Sequence, residues 1–151
     1  MFRGTATPKL DDKFRLALPA KYREELAKEI TVVCEMEHCL GVYRRSDFDD
    51  TMKEYNDAPA TIRRVRDFQR WMQSRAEDVV PDGQGRITLT PLQRSWAHLD
   101  REVVVIGSGK RLEIWNPSDW EDYQADLESQ FASFDGPIIP GPPSSTGEAG
   151  R

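Results

Sequence analysis

The chain has 151 residues, 21 of them Lys or Arg and 26 Asp or Glu, for a formal net charge of −5. That length suits one compact domain or two very small ones sharing a core, and 6 Phe, 4 Trp and 4 Tyr exclude a wholly disordered chain. No apolar run approaches the roughly 20 residues of a membrane span, the start Met1-Phe2-Arg3-Gly4-Thr5 lacks the apolar stretch of a signal peptide, and a cytoplasmic protein is expected.

In chain order, Asp11-Asp12 reads as a turn and residues 13–18 as a short strand. Pro19 then opens a short helix with Tyr22 and Leu26 on one face. Strands over 30–34 and 40–43 flank a turn at Met36-Glu37-His38, and Ser46 with Asp49 forms a weak capping box. Phe48, Met52 and Tyr55 have helical spacing until Pro59; Ile62, Val65, Phe68 and Met72 resume it, with Trp71 beside them. The same grammar then starts again. Pro81-Asp82-Gly83 is a turn, residues 85–90 a strand, and Pro91 opens a helix with Leu92, Trp96 and Leu99 on one face. Strands over 102–106 and 112–115 flank Gly107-Ser108-Gly109, and Ser118 with Glu121 is a capping box. Trp120, Tyr123, Leu127, Phe131 and Phe134 mark a C-terminal amphipathic helix, and the Pro- and Gly-rich stretch from Gly136 onward is expected to be disordered.

This recurrence is an internal repeat. A shift of 71 residues pairs Asp11 with Asp82, Arg15 with Arg86, Arg23 with Arg94, and Val32-Val33 with Val103-Val104. A shift of 72 pairs Leu40 with Leu112, Tyr43 with Trp115, and Ser46-Asp47-Phe48 with Ser118-Asp119-Trp120, so one inserted residue is expected at Gly107-Ser108-Gly109. The expected organisation is a first copy over 5–50, a helical connector over 51–76 and a second copy over 77–122. A C-terminal helix over 123–135 and a tail over 136–151 complete it. Neither copy is large enough to bury a good core alone.

Charge is polarised along the chain. Residues 1–23 carry six basic and two acidic side chains (+4), whereas residues 116–151 carry one basic and seven acidic ones (−6). A basic N-terminal edge can therefore meet phosphates while the rest of the molecule stays acidic. Residues 61–75 also total +4, but their five arginines spread around a helix and read as an ordinary solvated face.

Rival chemistries are poorly supported. Cys34, His38 and Cys39 surround one turn, but structural zinc takes four ligands with tighter Cys pairing, so no metal is expected. His38 and His98 are the only histidines, and neither stands in a nucleophile or metalloprotease motif. Gly107-Ser108-Gly109-Lys110 lacks phosphate-loop spacing. No catalysis, cofactor or small-molecule substrate is expected.

Asp11-x-x-x-Arg15 and Asp82-x-x-x-Arg86 stand at strand entries in both copies. Asp favours turn geometry, and each Arg can either reach back to that carboxylate or project as a fork toward phosphate or guanine. With Met1-Phe2-Arg3-Gly4, Leu10–Arg23, Cys39–Tyr43, Asp82–Leu89, Val104–Ser108 and Leu112–Trp115, these motifs give residues 1–125 a specific resemblance to the MraZ family of bacterial transcriptional regulators. The resemblance implies an α+β, mainly β fold. Two tandem AbrB-like β-hairpin half-barrels fuse into one pseudo-symmetric, double-psi-like barrel with flanking amphipathic helices. It further implies a homo-oligomeric ring of eight to twelve protomers that binds direct repeats in double-stranded promoter DNA. Such a protein is nucleoid-associated and represses its own division and cell-wall operon. Carried onto this chain, the DNA contacts are Arg15 and Lys13 first, Arg3 and Lys9 as flanking phosphate contacts, and Arg86 as a chiefly structural or weaker one. An AbrB-like antitoxin with a protein toxin partner, or a structural ring without a DNA target, are the alternatives. One departure stands out: the family usually has Gly where this chain has Phe14, and Phe disfavours positive φ, so a reshaped first turn is expected.

Overall fold

The computed structural model describes residues 1–141, in two units: residues 1–121, and those from 122 onward. The expected tail lies largely outside the described residues. The first unit contains strands β1 (Thr5–Ala6), β2 (Arg15–Ala17), β3 (Ile30–Cys34), β4 (Leu40–Arg44), β5 (Glu77–Val79), β6 (Arg86–Thr88), β7 (Val104–Gly107) and β8 (Arg111–Trp115). Helices α1 (Arg45–Asp57) and α2 (Arg63–Gln73) connect the copies, α3 (Pro91–Trp96) follows β6, and α4 (Pro117–Ala132) runs on into the second unit.

The fold is α+β, mainly β, and antiparallel throughout. Six strands form one sheet in the order β1-β7-β8-β4-β3-β5, while β2 and β6 form a separate two-stranded ribbon. Leu16 and Ile87 of the ribbon and Val32, Val42, Val105 and Ile114 of the sheet enclose a single core with Phe2, Leu10, Leu18, Leu26 and Leu89. This shared interior is how two undersized copies obtain an adequate apolar core.

The strand registers reveal a pseudo-twofold. Leu40 opposes Ile114 and Val42 opposes Leu112 across the sheet centre, and in the ribbon Arg15 opposes Thr88 while Ala17 opposes Arg86. The outer strands are exchanged: β1 of the first copy pairs with β7 of the second, and β5 pairs with β3. The registers also correct the expected single insertion. Val32 opposes Val42 and Val105 opposes Ile114, so Val32 is equivalent to Val105 rather than to Val103. Two residues are inserted between Ala97 and Val103, and one is deleted from the second hairpin turn.

Both faces of the central strands are covered, which explains why every residue of β3 is buried. On the outer face Val33 and Tyr43 pack with Phe48, Met52 and Met72 of α1 and α2, while Cys39, Val104 and Trp115 form a separate cluster with Trp120. Between them Arg111 donates to Glu113 at 2.7 Å and lies 3.6 Å from Glu35, whose other partner is the Tyr43 hydroxyl at 2.8 Å. Burial raises the Glu35 carboxyl above its usual range, against the pull of Arg111 and the Tyr43 hydrogen bond.

Several local expectations are corrected by capping chemistry. The segment after Pro19 is a single 3-10 turn, Ala20–Tyr22, because proline occupies the cap position and has no side-chain acceptor to offer. In the second copy Thr90 occupies that position and forms a reciprocal capping box with Gln93, so α3 is a true helix. That bond buries Gln93 and leaves Leu92 exposed. Helix α4 is capped by Asn116, whose Oδ1 accepts from Asp119 N–H, and not by Ser118. Helix α1 begins at Arg45 with no side-chain cap, so Ser46 lies inside it. Ile62 is exposed, just ahead of α2.

Candidate nucleic-acid interface

Each ribbon strand is entered through an Asp-x-x-x-Arg loop, and the two loops are built alike. Asp11 Oδ1 accepts from the backbone N–H groups of Lys13 and Arg15, both at 2.9 Å, and Oδ2 accepts from Arg15 Nε at 2.6 Å. Asp82 does the same with Gln84 N–H, Arg86 N–H and Arg86 Nε, at 2.9, 2.9 and 2.8 Å. The hydrogen bond from Arg15 N–H is the leading reason the Asp11 carboxyl is lowered from 3.8 to about 2, and Asp82 is lowered by the matching bond from Arg86. Of the two roles open to each Arg, the structure shows Nε reaching back to the carboxylate. Among the described residues, the Nη groups of Arg15 and Arg86 make no hydrogen bond.

Loop geometry also corrects the expectation for Phe14. The first turn is not reshaped: Phe14 takes φ +59 and Gly85 takes φ +72, and in both turns the third residue after the Asp donates to its carbonyl at 2.9 Å. The loops are clamped onto the ribbon crosswise, by Leu18 N–H to the Gly85 carbonyl and Leu89 N–H to the Phe14 carbonyl. Tertiary hydrogen bonds therefore override the local preference of Phe.

Because Leu16 and Ile87 point into the core, period-two alternation puts Arg15, Ala17, Arg86 and Thr88 on the opposite face. Arg15 and Arg86 have nearly equal side-chain exposure, 28% and 27%. What distinguishes the first half is Lys13, exposed beside Arg15, where the second half has Gln84. Two residues missed in the sequence reading complete the face. Arg94 lies over the Phe14 ring at 3.6 Å and donates to the Leu89 carbonyl; its repeat-mate Arg23 lies against Gly85 and donates to the Leu18 carbonyl. Their pairing at a shift of 71 was the available signal.

The flanking candidates lie elsewhere. Arg3 is exposed beside Lys21, whose Nζ donates to the Arg3 carbonyl, and the Tyr22 hydroxyl anchors the same carbonyl at 2.6 Å. Lys9 sits 4.0 Å from Glu102, which offsets its charge locally. The arginines of residues 61–75 are largely engaged: Arg63 and Arg70 with Asp67, Arg66 with the Ala60 carbonyl, and Arg75 on the rings of Trp71 and Trp96. Cys34 belongs to the main core and Cys39 to the outer cluster, while His38 stacks on Trp96 at 3.9 Å. Among the described residues no three His, Cys, Asp or Glu side chains are grouped to hold a metal ion, and no helix is long and apolar enough to cross a membrane.

A ribbon with paired loops is shared by copies of one unit, and the model of the MraZ protein family, described as antitoxin-like, matches this chain twice, over residues 1–71 and 72–136. The chain belongs to the MraZ family. It is 45% identical to the transcriptional regulator MraZ of Leifsonia xyli over 93% of this chain and 99% of that protein. The proteins of the same name in Micrococcus luteus and Parafrankia sp. are 44% and 45% identical over the same shares. Each matched segment carries one Asp-x-x-x-Arg loop, Asp11 to Arg15 in the first and Asp82 to Arg86 in the second.

Proposed function

We propose that this protein is a DNA-binding transcriptional regulator that lays its β2–β6 ribbon into the major groove of double-stranded DNA. The observation that carries this reading is the outward face of the ribbon: Arg15 and Arg86, each pre-positioned by its own Asp, with Lys13, Arg94 and Arg23 beside them. A two-stranded ribbon fits the major groove, and there an Arg fork pairs with guanine or phosphate. Binding of the Asp carboxylates leaves the Nη groups as the ends that meet DNA. Arg3 and Lys21 extend the basic surface toward flanking phosphates. The names of the relatives support regulation of transcription.

The finer reading is repression of the protein's own division and cell-wall operon, through direct repeats upstream of the gene, by a ring of eight to twelve protomers in the nucleoid. It is supported by the family membership and by energetics. A few Lys and Arg contacts per chain bind weakly at physiological salt, whereas identical ribbons repeated around a ring raise effective concentration by orders of magnitude. Footprinting on the DNA upstream of the gene tests the reading. Evenly spaced protected repeats are expected, lost in Arg15→Ala while that variant keeps its melting temperature and assembly size. An Arg15→Ala protein that loses its fold or its assembly makes Arg15 a structural brace and removes it from the contact set.

A further inference from the structure

We propose that the Phe14 ring is an apolar base contact, seated on a thymine methyl group in the major groove, and that it gives the pseudo-symmetric ribbon a direction on DNA. This rests on the DNA-binding reading of the ribbon above.

Four observations carry it. Phe14 is 41% exposed, at the tip of the loop between Lys13 and Arg15. Its backbone is held at φ +59, a conformation costly for an aromatic residue, and strain of this kind persists where surrounding structure enforces it and function uses it. The fold does not need the ring, because the second copy builds the same turn with Gly85. Finally, the ring is fixed rather than loose: Arg94 covers one face at 3.6 Å and is itself tied to the Leu89 carbonyl.

The chemistry of the neighbours names the ligand. Lys13, Arg15 and Arg94 draw phosphate toward this loop, so the ring is presented to a duplex. Base edges in the major groove offer mainly hydrogen-bonding groups, and the apolar exception is the C5-methyl of thymine. The symmetry-related loop presents Gln84 and Gly85 instead of Lys13 and Phe14. The two ends of the ribbon therefore meet different base pairs, and an otherwise near-twofold surface binds in one orientation.

The test measures fluorescence anisotropy with the duplex upstream of the gene and with the same duplex carrying uracil in place of every thymine, which removes only the methyl groups. Full-length protein is expected to bind the uracil duplex about fourfold more weakly per engaged loop, the factor for one buried methyl group. Phe14→Gly is expected to bind both duplexes equally, at the weaker affinity, with a melting temperature within about 4 °C of the parent because glycine suits the turn. Phe14→Asn, which also tolerates left-handed φ, should behave likewise and keeps the test valid if the glycine variant loses stability. A parent protein indifferent to uracil overturns the proposal, as does a Phe14→Gly protein that still discriminates. A parent protein that binds neither duplex overturns the ribbon reading itself, which separates the two failures.

Discussion

Asp11 and Asp82 show at the residue scale how a three-atom group organises a loop. One carboxylate accepts two backbone N–H groups and one guanidinium Nε, so its ionised form is favoured in the folded chain. The Asp11 carboxyl stands lowered from 3.8 to about 2. A group depressed on folding stabilises the fold above its unfolded value and loses that contribution as pH falls through the folded one. The loop should therefore remain intact at pH 4 and open toward pH 2, and carbon-13 NMR titration should find Asp11 titrating well below the usual carboxylate range. An Asp11 that titrates near the ordinary 3.8 contradicts the hydrogen-bond assignment. Asp11→Ala should lower the midpoint of urea denaturation, since it removes the acceptor shared by the Lys13 and Arg15 N–H groups and Arg15 Nε. The Asp-x-x-x-Arg pairing was legible as spacing; which of its two roles Arg takes was not, because that depends on the turn closing. Phe14 is the opposite lesson. Its intrinsic preference pointed to a different turn, and crosswise hydrogen bonds to Leu89 overrode it.

At the element scale, hydrophobic periodicity placed the strands and helices, while cap chemistry decided where they end. Residues 30–34 were legible as a strand from their apolar run, and Thr90 with Gln93 makes a helix where Pro19 allows only one turn. The exchange of β1 and β5 between copies could not be read, because strands of two and three residues carry no pairing signal of their own. Gly107 shows how tight that exchange is: a Cβ there would fall on the backbone of Phe2 and Arg3. Gly107→Ala should therefore lift the N-terminal strand and destabilise the protein by about 2 kcal/mol, with hydrogen exchange accelerated first at Thr5 and Ala6. The same sheet holds a buried charge cluster, Glu35 and Glu113 on Arg111. Arg111→Met would leave two buried carboxylates without a counter-charge, a loss of about 3 kcal/mol or more by thermal denaturation. Replacing Glu35 by Gln should be far milder, since Arg111 retains Glu113 and the Tyr43 hydroxyl retains an acceptor.

The whole molecule is a duplicated half-fold whose copies share one interior. Pseudo-twofold pairing across β4–β8 and β2–β6 places the two Asp-x-x-x-Arg loops at opposite ends of one ribbon, so the proposed binding surface exists only once both copies have folded together. A fragment carrying residues 1–71 alone exposes half a core and should neither fold as a monomer nor bind DNA. The net charge of −5 averages over a polarised chain, which carries +4 over residues 1–23 and −6 over residues 116–151. Gel-shift titrations on DNA with one, two and three repeats should show affinity rising steeply with repeat number, as linked weak sites do. Equal affinity for all three would mean that one protomer suffices and that assembly plays no part in recognition.

By itself the sequence determined the duplication, the strand-and-helix grammar of each copy, the family and the loop that carries Lys13 and Arg15. These follow from side-chain type and spacing, which are local properties. Only the tertiary structure decided the exchange of outer strands, the two-residue insertion before β7, the left-handed turn at Phe14, and the placement of Arg94 on its ring. Each of these is set by contacts between residues tens of positions apart, where hydrogen bonds and packing across the shared core outweigh what any single segment prefers.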